Sequence, residues 1–145
     1  MIKYMKKIAT IILILVLNNA CDFLEDTFFE KWYPLDIQNN YNKEIFVSIG
    51  CDRFWSTSYP DTILPSTKPY LISVSPNDYV EIDSGKKWED IAKKQPEGKL
   101  SIYFFDSDTI EFYDWAQIKE GNKVMKRIDV SAEDLINMNW TITYP

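Results

Sequence analysis

Leu100-Ser101-Ile102-Tyr103-Phe104-Phe105 is the stretch on which the fold turns. It is apolar or aromatic at five of six positions, without the alternation of a half-wetted strand, as expected for a strand covered on both faces. Its short length favours a strand over a helix, so it is expected to run through the centre of a sheet. Moving outward, Glu44-Ile45-Phe46-Val47-Ser48-Ile49-Gly50 alternates with period two, and Cys51 continues the apolar series Ile45, Val47, Ile49. Tyr70 to Val74 and Tyr79 to Ile82 flank Ser75-Pro76-Asn77-Asp78, which reads as a hairpin because Pro suits the second turn position and Asn and Asp tolerate turn geometry. Lys123 to Val130 places Val124, Ile128 and Val130 on one face with Lys126, and Trp140-Thr141-Ile142-Thr143-Tyr144 alternates throughout.

Helical spacing occurs in three short pieces. Trp88, Ile91 and Ala92 share a face between Lys87 and Lys94, and Pro96 halts that helix. Trp115 and Ile118 lie three apart within Asp114 to Lys119, with Gly121 as a stop. Ser131-Ala132-Glu133-Asp134 is a capping signal that opens a turn through Leu135. Together these segments predict a mainly β, antiparallel, β-sandwich-like single domain with two or three short helices, over residues 35–145.

The chain has 145 residues, room for one domain of ordinary size. Its 46% hydrophobic and 15% aromatic content, with only 4 Gly, excludes disorder and Gly-rich phosphate cradles. The absence of His removes Ser-His-Asp and Cys-His nucleophile systems, two-histidine zinc motifs and imidazole proton shuttles. A net charge of −6 opposes nucleic-acid phosphate, so no nucleic-acid partner is expected.

Lys3, Lys6 and Lys7 precede the uncharged run Ile8 to Leu17, a signal-peptide profile too short for a spanning helix of roughly 18 or more residues. Met5 offers an alternative start to Met1. The run ends at Asn18-Asn19-Ala20-Cys21, which resembles a bacterial lipoprotein signal with Cys21 as the lipidated residue, although Leu17 stands four before the Cys where three is usual. The alternative is an ordinary secretory signal that happens to meet a Cys. Several acyl chains, at about 0.8 kcal/mol per buried CH₂, hold a protein where one would release it. Removal of residues 1–20 takes three of the 16 basic side chains and none of the 22 acidic ones, leaving 13 against 22 and a net charge of −9 over 125 residues.

Residues 21–34 then form an acidic, aromatic tether, part of which is expected to pack. In Bacteroidota lipoproteins, acids directly after the lipidated Cys resemble an export signal to the outer face; elsewhere, Asp beside that Cys tends to mean inner-membrane retention. The expected partner is the membrane, through the N-terminal lipid, with an outer-membrane location. Cys51, with no His to activate it, reads as a buried inert thiol.

Four constellations bear on chemistry. Counted from Asp106, the acidic segment Asp106-Ser107-Asp108 puts Ile110, Glu111 and Gln117 at calcium-loop positions 5, 6 and 12, so it fails that pattern and reads better as a turn in which Asp bonds its own backbone. Ser84-Gly85-Lys86-Lys87 carries a Ser-x-x-Lys without its companion motifs and reads as a turn into a helix. No spacing singles out a carboxylate pair for glycoside hydrolysis. No catalytic residue, metal ligand or cofactor is therefore assigned. Trp55, Tyr59, Asp61 and Tyr70, in a loop-like region with Pro60 and Pro65, are the candidates for stacking on and bonding to a glycan, against the competing use of aromatics in core and sheet faces.

Lys126 to Leu135 followed by Asn139-Trp140-Thr141-Ile142-Thr143-Tyr144-Pro145, together with Tyr59-Pro60-Asp61-Thr62 and Phe104-Phe105-Asp106, resembles a set of uncharacterised small lipoproteins from Bacteroidota. The likeness covers roughly residues 36–145. It implies a lineage and an envelope location, and supplies no activity and no catalytic residues. The expectation is a non-enzymatic binding or interaction protein of the envelope, with a glycan or an envelope protein as its partner.

Overall fold

Fully covered on both faces, strand Lys99–Asp106 buries all six residues from Leu100 to Phe105. The computed structural model describes residues 33–50 and 64–145. In chain order these hold β1 (Pro34–Asn39), β2 (Ile45–Gly50), β3 (Ile72–Val74), β4 (Asp78–Asp83), α1 (Trp88–Lys94), β5 (Lys99–Asp106), α2 (Ser107–Phe112), α3 (Trp115–Glu120), β6 (Lys126–Ser131), α4 (Ala132–Asn137) and β7 (Thr141–Tyr144). A 3-10 turn, Pro96–Gly98, joins α1 to β5. The fold is mainly β and sandwich-like, with two sheets and four short helices among the described residues.

One sheet has the order β3-β2-β5-β6 and is antiparallel throughout; the other has the order β4-β1-β7, with β1 antiparallel to β4 and parallel to β7. Period-two alternation splits β5 between two apolar clusters. Leu100, Ile102 and Phe104 join Ile45, Val47, Ile49 and Val130 in the main core, where they pack with Leu35, Ile37, Ile82 and Ile142 of the three-stranded sheet. Tyr103 and Phe105 point the other way and are covered by Leu64 and by Ile118 and Trp115 of α3. Trp88 and Ala92 of α1 and Leu135 of α4 complete the main core.

Several elements depart from the sequence expectation. The segment Ser75 to Asp78 is not a hairpin: β3 pairs with β2 while β4 pairs with β1, so the turn hands the chain from one sheet to the other. Asn77, at φ 54°, takes the left-handed turn conformation that Asn tolerates. The side chain of Asn39, fully buried, holds this crossing: its Nδ2 donates to the carbonyls of Lys43 (2.8 Å), Val74 (3.1 Å) and Ser75 (3.0 Å), and its Oδ1 accepts from Tyr41 N (2.9 Å). β6 begins only at Lys126, and Val124 packs in the outer cluster while Ile128 and Val130 belong to the main core. The acidic segment after β5, expected as a turn, forms a helix, α2, beyond the two or three expected, with the Asp106 carboxylate accepting from Asp108 N at 2.8 Å.

Helices α3 and α4 share one design. Each opens with a reciprocal capping box, Asp114 with Gln117 and Ser131 with Asp134. Each closes with a Schellman motif eight residues after its cap, with Asn122 (φ 44°) and Asn139 (φ 49°) in the left-handed position. The six-to-one bonds are Lys123 N to Ile118 O (2.9 Å) and Trp140 N to Leu135 O (2.9 Å). Gly121 is the C-cap that stops α3, at φ −81°, and the left-handed position falls one residue later, at Asn122.

Candidate functional site

The outer face of the three-stranded sheet is an ordered grid of polar side chains. Because Leu35, Ile37, Ile82 and Ile142 point inward, their neighbours Asp36, Gln38, Glu81, Tyr79, Thr141 and Thr143 point outward. Register places Tyr79, Gln38 and Thr143 in one row and Glu81, Asp36 and Thr141 in the next. Tyr79 is 58% exposed, an aromatic ring standing in water beside two carboxylates.

Asp36 and Glu81 are directly opposed across an antiparallel pair, where like charges repel. Asp36 is half-buried, and its Oδ1 has neither accessible surface nor a hydrogen-bond donor. Burial first, and then the Glu81 charge, push the Asp36 carboxyl above the usual Asp range. The two carboxylates sit side by side on an exposed sheet face, an arrangement that suits recognition of positive or hydrogen-bond-donating groups. Sequence reasoning missed this pair because no strand was expected around Asp36, at the very start of the domain. The alternation of Leu35 and Ile37 about Asp36 was the available signal.

A second polar cluster lies on the outer face of the four-stranded sheet. Ser101 Oγ donates to Asp129 Oδ1 (2.6 Å), Arg127 Nε donates to the same oxygen (2.8 Å), and Arg127 Nη2 donates to Ser101 Oγ (3.0 Å). The guanidinium also lies 5.4 Å from the centre of the Tyr103 ring. This closed network explains how Ser101 is tolerated at zero exposure in the central strand.

Of the residues singled out from sequence, Cys21, Cys51, Trp55, Tyr59 and Asp61 lie outside the described residues. Tyr70 is described and 65% exposed, just ahead of β3. In the acidic segment, Asp108 is paired with Lys43 at 2.7 Å, a hydrogen bond and charge that raise the Lys43 pKa. Among the described residues, no group of three or more His, Cys, Asp or Glu could hold a metal ion. Ser84 is buried and its Oγ donates to the Lys86 carbonyl, so the Ser-x-x-Lys stretch is a turn that leads into α1. Among the described residues, no helix is long and apolar enough to cross a membrane. No family model, curated protein or solved structure matches the chain.

Proposed function

We propose that this chain is a lipid-anchored protein of the bacterial envelope, attached through Cys21, whose folded domain binds a partner and does not catalyse a reaction. The observation that carries the reading is the order of its first 21 residues: Lys3, Lys6 and Lys7, an uncharged run to Leu17, then Ala20-Cys21. The three carboxylates at Asp22, Glu25 and Asp26, and the likeness to small Bacteroidota lipoproteins, support placement on the outer membrane with export toward the cell surface. Growth with radiolabelled palmitate tests the anchor. The wild-type chain takes up label and Cys21→Ala does not; equal labelling of the two would end the proposal.

A second reading, a glycan-binding accessory domain, draws support from Tyr70, whose ring is 65% exposed. Pull-down of the full chain on immobilised neutral glycans checks it, with retention expected for the wild type and loss expected for Tyr70→Ala.

A further inference from the structure

The two sheets carry opposite charge. Strands β1, β4 and β7 hold four carboxylates, Asp36, Asp78, Glu81 and Asp83, and no Lys or Arg. Strands β2, β3, β5 and β6 hold Lys99, Lys126 and Arg127 against Asp106 and Asp129. At the centre of the acidic sheet, Asp36 faces Glu81 with no cation between them among the described residues, a cross-strand repulsion that the fold retains. One Asp36 oxygen is sealed and lacks a hydrogen-bond donor, which leaves part of the cost of burying it unmet. Asp83 is already engaged, accepting from Tyr33 N (3.2 Å) and Gly85 N (3.0 Å), and Asp78 accepts from Tyr79 N (2.8 Å), which leaves Asp36 and Glu81 as the uncommitted pair among the described residues.

We propose that the outer face of the β4-β1-β7 sheet docks a basic segment of a protein partner, with a Lys or Arg side chain bridging Asp36 and Glu81 and its alkyl stem against Tyr79. The proposal rests on the binding reading above and names its site and the chemistry of its partner. Charge complementarity selects the occupant. A cation between the two carboxylates converts their repulsion into two charge-assisted hydrogen bonds, and the exposed Tyr79 ring offers a cation a further attractive surface. A metal ion fits less well, because no third His, Cys, Asp or Glu joins the pair among the described residues. Gln38 and the two Thr hydroxyls add neutral donors and acceptors for a partner's backbone.

The test is fluorescence anisotropy of the full chain with a labelled oligolysine peptide, repeated at raised salt, with a neutral glucan as a second probe. The Asp36→Asn/Glu81→Gln double variant is expected to bind the peptide at least about tenfold more weakly, the loss of one well-made charge pair. A control of equal charge change, Glu89→Gln/Asp90→Asn on α1, is expected to bind like the wild type. Thermal unfolding shows whether the double variant is folded, and removal of the repulsion predicts that it is at least as stable as the wild type. Unchanged binding in the double variant, or equal weakening in both variants, overturns the site. Binding of the glucan in preference to the peptide, abolished by the same double variant, overturns the basic partner in favour of a glycan. Palmitate labelling is indifferent to all these outcomes, so failure here is separable from failure of the anchor.

Discussion

Asn39 shows how one residue joins three strands. Its amide reaches the carbonyls of Lys43, Val74 and Ser75, fastening the end of β1 to the start of β2 and the end of β3. Truncation strands those buried acceptors, and Asn39→Ala is expected to cost about 1–3 kcal/mol in chemical denaturation. Asp36 works in the opposite sense. Its carboxyl pKa is raised in the folded state, so the folded chain holds that proton more tightly than the unfolded one. The resulting penalty is absent below the ordinary Asp value of about 3.9 and fully present above the raised one. Asp36→Asn is therefore expected to stabilise the protein at neutral pH by up to about 1 kcal/mol, with the advantage vanishing in acid, as denaturation at several pH values would show. Asp134 has the reverse sign: the Ser131 hydroxyl and backbone N–H hold its carboxyl below the usual range. Its contribution is present above the ordinary value and is lost as pH falls through the lowered one.

At the scale of elements, α3 and α4 are six-residue helices, shorter than any length at which an isolated helix is stable in water. Their ends are satisfied at both termini, and each has one fully buried side chain, Ile118 or Leu135, in an apolar cluster. The left-handed Asn at each C-terminal end makes a sharp prediction. Asn139→Gly, which removes the Cβ, is expected to be neutral or slightly stabilising, whereas Asn139→Ala keeps the Cβ and loses the short polar side chain that makes Asn tolerant of this conformation, at an expected cost of about 1 kcal/mol; thermal unfolding of the two variants separates them. The capping signal at Ser131 was legible because it needs only a hydroxyl and an acid three residues on. The stop at Gly121 was legible as well, but the left-handed Asn122 beyond it was not, because that position depends on where the six-to-one bond closes.

Over the whole molecule, legibility followed burial. β5 could be read directly because both its faces are covered, and its sequence is accordingly apolar almost throughout. β1 could not: Pro34, Asp36, Gln38 and Asn39 leave only Leu35 and Ile37 as apolar signal, and Asn39 earns its buried place through partners distant in sequence. The grid on the outer sheet face was invisible for the same reason, since register between β1, β4 and β7 brings together residues more than forty positions apart. The hairpin misreading has a related cause, because turn chemistry specifies a reversal without saying which sheet the next strand enters. At this scale the main core should dominate stability: Phe104→Ala removes a fully buried ring stacked on Tyr144 at 5.1 Å and is expected to cost about 3–5 kcal/mol in urea denaturation.

The parallel pairing of β1 with β7 joins Asp36 to Thr141 across nearly the whole described sequence, whereas β5 and β6 join over a much shorter span. Closing so long a loop is entropically slow, so the three-stranded sheet is expected to finish assembling after the four-stranded one has formed. Contacts made after the rate-limiting step act on the rate of unfolding and leave the rate of folding almost untouched. Ile142→Val in β7 is thus expected to steepen unfolding in stopped-flow traces with little change in refolding, while Ile102→Val in β5 slows refolding. The lifetime of the folded protein against proteolysis would then be set by how tightly a four-residue strand stays zipped to β1.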